Sequence, residues 1–107
     1  MSEIYAKYER LKFTRPAERV LEIVLDNPGR LNATDAKMHE ELAYVWRDID
    51  ADPDISVAII RGAGEAFSAG GDFALIEAMA DDFATRARVW REARALWTGL
   101  RGLAYGA

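Results

Sequence analysis

Two short apolar segments near the start of the chain have the composition of β-strands. In residues 8–15 the apolar Leu11 and Phe13 lie two positions apart, and residues 20–25 (VLEIVL) consist mainly of residues that favour strands. The intervening residues 16–19 include a proline and suit a turn. The pattern therefore predicts a β-hairpin.

The next part of the chain changes to a helical period. Apolar side chains recur there at spacings of three and four and form one stripe, which consists of Met38, Leu42, Val45, Trp46 and Ile49. Thr34 is a suitable N-cap, and Asp35 is favourable in the first helical turn. The acidic and proline-containing residues 50–54 end the pattern. The sequence thus predicts an amphipathic helix that buries one face.

A third strand and two further helices complete the predicted elements. Residues 57–60 (VAII) form a continuous apolar run, which is typical of a strand buried on both faces. We expect helices over residues 73–79 and from about residue 82 to residue 97. Because a helix separates strands 20–25 and 57–60, these strands should be parallel in one sheet. The fold class is therefore α/β, with few strands for its sheet.

Composition limits the classes to which the protein can belong. A chain of 107 residues and 11.9 kDa is enough for one small domain. The lack of cysteine excludes disulfides and thiolate zinc sites, and the single histidine argues against a histidine-rich metal centre. No apolar run approaches the roughly 20 residues that span a bilayer, and the first residues lack the layout of a signal peptide. We expect a cytoplasmic domain with no metal and no membrane partner.

The net charge of −4 is unevenly distributed along the chain. Residues 31–80 carry three basic and ten acidic side chains, which would repel a phosphate backbone, so we expect no nucleic-acid partner. The last third of the chain carries Arg86, Arg88, Arg91, Arg94 and Arg101. These arginines fall on several faces of a helix, and we interpret them as an ordinary solvated surface.

The stretch most suggestive of chemistry runs from the third strand through a glycine-containing loop into a helix. The first backbone N–H groups of such a helix lack partners within it and lie at its positive dipole end. An oxygen that gains negative charge would be stabilised there, which makes the Gly71 N–H a natural oxyanion donor. A tight structural connection is the alternative. Two other glycine motifs are excluded, because Phe67 replaces the third glycine of a dinucleotide fingerprint and no Gly-Lys-Ser/Thr sequence occurs.

Three segments in this order resemble one known family. They are residues 27–33 (NPGRLNA), 52–57 (DPDISV) and 62–72 (GAGEAFSAGGD), and together they resemble the enoyl-CoA hydratase/isomerase (crotonase) family. The resemblance covers about residues 10–80 and implies the N-terminal portion of a crotonase-like ββα spiral. Residues 81–107 are expected to form a helical tail without a clear match, within a single partial domain.

The resemblance implies a site that binds an acyl-CoA thioester, with coenzyme A as part of the substrate and no tightly bound cofactor. It assigns Gly71 as the catalytic residue, because the position before the aspartate supplies one of two oxyanion N–H groups. The implied substrate-binding residues are Arg30, Leu31, Ala33, Ala69, Gly70, Asp72 and Phe73. For Asp72 a helix cap is an equally favoured interpretation. The hydrophobic core is the favoured place for Phe73 and Leu75, and His39 is expected to be exposed and without a catalytic role.

The chain also departs from the family pattern. The acidic residues after position 80 are Asp81, Asp82 and Glu92, and none has the context of the family's acid/base carboxylates. Residues 102–107 faintly resemble the family's second oxyanion turn, with Ala107 as the donor, but a chance Gly/Ala-rich tail is the interpretation we favour.

Two functional interpretations follow from the resemblance. In the first, the parent protein binds an acyl-CoA, stabilises its enolate and hydrates 2-enoyl-CoA, with isomerisation or thioester hydrolysis left open. In the second, the chain is a truncated, non-catalytic module that binds coenzyme A or only assembles with partners. Trimers or hexamers are expected by analogy with the family.

Overall fold

A computed structural model describes residues 3–106, and the side chains of residues 4–99. After a short 3-10 turn at Glu3–Tyr5, the elements are β1 (Leu11–Ala17), β2 (Val20–Leu25), α1 (Ala36–Ala51), β3 (Val57–Gly62), α2 (Phe73–Asp81) and α3 (Phe83–Gly106). The strands form one sheet in the order β1-β2-β3. The α/β class and the predicted order of elements are confirmed.

The sheet has the mixed pairing that the sequence predicts. Strands β1 and β2 are antiparallel, with Leu11 opposite Leu25, and the hairpin turns at Arg19, whose φ is 64°. Strands β2 and β3 are parallel, with Leu21 opposite Ala58. The crossover through α1 therefore brings the ends of β2 and β3, and the loops that follow them, to the same edge of the sheet.

The hydrophobic core lies between α1 and the β1–β2 pair. It is formed by Tyr5, Leu11, Leu21, Ile23, Leu25, Met38, Val45, Trp46 and Ile49, all of which are buried. Four of the five predicted stripe residues of α1 belong to this cluster, and Leu42 packs against it. Full burial of each large aliphatic side chain contributes about 1.5–3 kcal/mol. The amphipathic interpretation of α1 is therefore confirmed.

Helix α1 begins one residue later than the sequence suggests. Asp35 is the N-cap, and its Oδ1 accepts a hydrogen bond of 2.8 Å from the Met38 N–H. Burial alone would raise the pKa of Asp35, but hydrogen bonds from the Arg10 guanidinium (2.8 Å) and the Met38 N–H outweigh it, so this pKa is lowered. The prediction of Thr34 as the cap is wrong, because its backbone pairs instead with Gly71.

Strand β3 is exposed, contrary to the prediction that it is buried on both faces. Val57 is 53% exposed, Ile59 44% and Ile60 39%. The strand lies at the sheet edge. The structure describes all of its residues, and none of them belongs to the core cluster between α1 and the β1–β2 pair. Its apolar sequence therefore exceeds the burial that residues 3–106 provide.

Helix α3 packs on the side of α1 that the sequence suggests is polar. His39 is half-buried, and its Nδ1 lies 2.8 Å from Oε1 of the buried Glu92 on α3. A Cβ at Gly99 would lie 2.9 Å from the Cβ of Trp46, so the helices approach closely there. The expectation that His39 is exposed is wrong because α3, which continues past residue 97 to Gly106, covers it. Ala107 lies outside the described residues.

Candidate functional site

Two loops run side by side at the sheet edge where β2 and β3 end. We call residues 26–35 the first loop and residues 63–72 the second loop. The Ala69 N–H donates to the Leu31 carbonyl (3.0 Å), and the Thr34 N–H donates to the Gly70 carbonyl (2.7 Å). The Asp72 N–H returns a bond of 2.9 Å to the Thr34 carbonyl. These bonds bring together the residue segments that the family resemblance selects.

This pairing determines the direction of the Gly71 amide. Thr34 and Gly71 form a parallel β-bridge in which Thr34 bonds to both chain neighbours of Gly71. In a parallel bridge the N–H and C=O of the opposite residue point away from the partner strand. Gly71 is exposed, and its N–H donates to no group among residues 3–106. The amide thus points away from Thr34 and makes no hydrogen bond within the described residues.

Asp72 starts α2. Its Oδ1 accepts from the Ala74 N–H (2.8 Å) and the Leu75 N–H (3.2 Å), and its side chain is buried. Its Oδ2 lies 3.4 Å from Nη1 of the more exposed Arg30. The capping interpretation of Asp72 is confirmed. With these bonds made, the Phe73 N–H is a further amide at the helix start without a partner in the described chain.

Two large apolar side chains of the site are strongly exposed. Phe73 is 84% exposed and Leu31 69%. Leu31 also has a φ of 50°, a left-handed conformation that is unfavourable for leucine. The expectation that Phe73 lies in the core is wrong, whereas Leu75 is buried as expected. An outward Phe73 lies at the same helix start as the unpartnered amides.

Sequence reasoning missed the side chains that hold the loops. The buried Asn32 donates from Nδ2 to the carbonyls of Ala63 (2.8 Å) and Ala66 (2.9 Å), and its Oδ1 accepts from the Asn27 N–H (3.1 Å). Asn27 donates in turn to the Ala33 carbonyl (2.7 Å). The available signal was asparagine in a Pro/Gly turn, since asparagine tolerates the positive φ of 56° observed at Asn32.

A groove of about 500 Å³ adjoins the first loop and the start of α2. Its charged lining comprises Arg10, Arg30, Lys37, Arg88, Asp35 and Asp72. The Nε of Arg88 is buried there and has no hydrogen-bond partner in the described part of the chain. Basic groups therefore outnumber acidic ones in the lining of this groove, although the middle of the chain is acidic overall.

The described residues form neither a candidate membrane span nor a candidate metal cluster. Within residues 3–106 no helix is both long and apolar enough to cross a membrane. The same part of the chain contains no cluster of three or more His, Cys, Asp or Glu side chains that could hold a metal ion.

The chain is similar in sequence to a known protein family and to individual members with named activities. Residues 15–105 match the family model for enoyl-CoA hydratase/isomerase, which extends beyond the segments quoted above. The chain is 49% identical over 65 residues to a carnitinyl-CoA dehydratase of Escherichia coli K12, covering 60% of this chain and 24% of the relative. It is 40% identical over 57 residues to a mevalonyl-coenzyme A hydratase of Beauveria bassiana, covering 53% and 20% of the two chains.

A solved structure of the same family is also similar to this chain. An enoyl-CoA hydratase/isomerase from Mycobacterium paratuberculosis aligns with a TM-score of 0.78 and 34% identity, over 84% of this chain and 36% of that one. The aligned region thus spans about a quarter of the curated relatives' length or less, and about a third of this solved structure. The chain belongs to the enoyl-CoA hydratase/isomerase family, of which it represents the N-terminal part.

Proposed function

We propose that this chain holds the thioester of an acyl-CoA and supplies one oxyanion donor, the N–H of Gly71. The observation that carries the proposal is the Thr34–Gly71 bridge, in which the amide of the exposed Gly71 points away from Thr34 and has no partner among the described residues. An acyl carbonyl that accepts this hydrogen bond would be stabilised as negative charge develops on its oxygen. Loss of one such donor typically costs about 3–4 kcal/mol of transition-state stabilisation.

We propose that coenzyme A lies along the paired loops. Arg30, Leu31, Ala33, Ala69, Gly70 and Phe73 are the proposed contacts, and five of these residues are exposed. The Arg30 guanidinium suits a phosphate, and Phe73 offers an apolar ring. The Asp72 carboxylate is occupied by α2 and Arg30, so we assign it to orienting the site, although it also lies in the implied contact set.

For the parent protein we propose hydration of a 2-enoyl-CoA. The relatives named as a hydratase and a dehydratase support reversible water chemistry on a CoA ester. That reaction needs a general acid/base in addition to the oxyanion donor. The second loop carries two acidic side chains, Glu65 and Asp72. The hydrogen bonds of Asp72 make it a helix cap, and Glu65 does not have the position of the family's acid/base carboxylates. Because the aligned region covers 24% of the carnitinyl-CoA dehydratase relative, we propose that the acid/base groups of the parent protein lie outside the aligned region.

The second candidate function is a non-catalytic module that binds coenzyme A or assembles with partners. The exposed edge of β3 favours it, because Val57, Ile59 and Ile60 are apolar and β3 pairs on one side only. Unpaired, apolar edge strands are sites of association with another chain. On this proposal a trimer or hexamer would form through surfaces that include this edge.

Two assays of the purified 107-residue chain test these functions. Hydration of crotonyl-CoA by the chain would exclude the non-catalytic module. Coenzyme A at 100 times its Kd should stabilise the fold by about 2.7 kcal/mol and raise Tm by roughly 10 °C. Arg30→Gln should reduce this shift, whereas Lys12→Gln, which removes an exposed charge on β1 outside both loops, should retain it. A chain that shows neither turnover nor a coenzyme A-dependent rise in Tm contradicts the proposed binding function.

A further inference from the structure

A second groove, separate from the Gly71 loops, lies between α1 and α3. It has a volume of about 400 Å³. Its lining includes Arg47 of α1 and, from α3, Trp90, Arg91, Arg94 and Thr98. It shares no lining residue with the groove beside the first loop. The structure thus gathers arginines that the sequence pattern spreads over several helix faces. We call it the α1–α3 groove.

The arginines of the α1–α3 groove differ from four other arginines of the chain. Arg10, Arg15, Arg30 and Arg61 each form an ion pair with an acidic side chain. By contrast, Arg47, Arg91 and Arg94 form no ion pair with any described residue, and no acidic side chain lines the groove.

The described neighbouring groups form no ion pair with these arginines, although Arg47 also lines another groove with three acidic side chains, Glu40, Glu41 and Asp48. Glu92, the acidic residue within α3, is buried and bonded to His39, and neither residue lines the groove. Arg47 lies over the ring of Tyr44 at 5.4 Å, which holds its guanidinium without neutralising it. Three unpaired guanidinium groups that line one concave surface favour an anion able to accept several hydrogen bonds.

Trp90 indicates what kind of anion would bind. The side chain is 65% exposed and lines the same groove, so a face of the indole is accessible to a planar ligand. Aromatic rings stack on nucleobases, and arginines bind phosphate. A volume of about 400 Å³ falls within the range of small-molecule sites. We propose that the α1–α3 groove binds a nucleotide, with its phosphate on Arg91 and Arg94 and its base on Trp90.

Isothermal titration of the 107-residue chain with AMP, ribose 5-phosphate and inorganic phosphate tests this proposal. AMP should bind more tightly than ribose 5-phosphate, because ribose 5-phosphate lacks the base. Arg91→Gln and Arg94→Gln should each weaken AMP binding about tenfold, the loss of one charged hydrogen-bonding group. Trp90→Ala should remove the preference for AMP over ribose 5-phosphate.

Two control variants separate this site from other effects. Arg86→Gln removes the same charge from the same helix but lies outside the groove, so it should leave AMP affinity unchanged. Arg30→Gln tests whether AMP occupies the proposed coenzyme A loops instead, and it should also leave AMP affinity unchanged. The proposal is overturned if AMP does not bind, if Arg86→Gln weakens binding as much as Arg91→Gln, or if Arg30→Gln abolishes it. Equal affinity for AMP and ribose 5-phosphate overturns the role of Trp90.

Discussion

Substitution of Asn32 tests how the two loops of the candidate site are held together. The side chain is 4% exposed, and it makes three hydrogen bonds to the backbone groups of Asn27, Ala63 and Ala66. Its φ of 56° is one that asparagine and glycine tolerate better than other residues. The side chain therefore contributes through its bonds and through its backbone preference, and these contributions can be separated by two variants.

The magnitudes follow from the contacts. Each hydrogen bond to a neutral backbone group contributes about 0.5–1.5 kcal/mol, so the loss of all three costs about 3 kcal/mol. Asn32→Gly removes the bonds but keeps the left-handed backbone conformation accessible. Asn32→Ala removes the bonds and adds about 1 kcal/mol for the left-handed conformation, so it should cost about 4 kcal/mol. Either loss is a large share of the roughly 5–15 kcal/mol that stabilises a domain of this size.

Urea unfolding followed by circular dichroism measures both effects. The midpoint should fall for Asn32→Gly and fall further for Asn32→Ala, with little change in the m-value. Asn32→Asp should also lower the midpoint. In this variant a carboxylate oxygen would replace the amide donor and face the carbonyl oxygens of Ala63 and Ala66. A free energy of unfolding for Asn32→Gly within 0.5 kcal/mol of the unsubstituted chain would refute this reasoning, as would Asn32→Ala more stable than Asn32→Gly.

Three further substitutions have expected outcomes in the same assay. Glu41→Gln should cost about 2 kcal/mol, because the buried carboxylate accepts three backbone N–H groups from residues 9–11 and an amide group would oppose one of them; an unchanged urea midpoint would contradict this. Gly62→Ala should destabilise by more than about 1 kcal/mol, because the new Cβ would overlap the Ala66 carbonyl oxygen; unaltered stability would mean that the second loop moves freely. Hydrogen bonding to a backbone N–H lowers the pKa of Asp52 in the folded chain. The ionised Asp52 therefore stabilises the fold above its unfolded pKa near 3.9, and this stabilisation is lost as pH falls below about 4. Asp52→Asn should reduce the decline in unfolding free energy at low pH, and an identical pH profile would contradict this.

The fold could be predicted wherever the signal is local. Strand alternation and the stripe of α1 reflect one buried face each, so the hairpin and α1 were predictable from spacing. The exposure of β3 was not predictable. An apolar run shows that a strand is suited to burial, but it does not show whether other elements of the chain cover that strand. The choice of Asp35 over Thr34 as the helix cap depends on the Gly71 bridge, a contact between distant parts of the sequence.

The candidate site divides in the same way. Gly71 could be selected from a glycine loop before a helix, and α2 with its Asp72 cap follows from local chemistry. The bonds from Asn32 to the second loop and the His39–Glu92 pair could not be predicted, because these partners lie 31 and 34 positions from Asn32 and 53 positions from His39. The charge of the α1–α3 groove likewise appears only when α3 lies against α1.

The most direct test of the central claim is an NMR titration that follows the Gly71 amide. On addition of crotonyl-CoA to the ¹⁵N-labelled chain, the Gly71 proton should shift downfield as its N–H donates to the thioester carbonyl. Coenzyme A without an acyl group should bind and leave this proton close to its original position. Saturable binding of crotonyl-CoA with the Gly71 resonance unmoved, or moved equally by free coenzyme A, would contradict the assignment of this amide as the oxyanion donor.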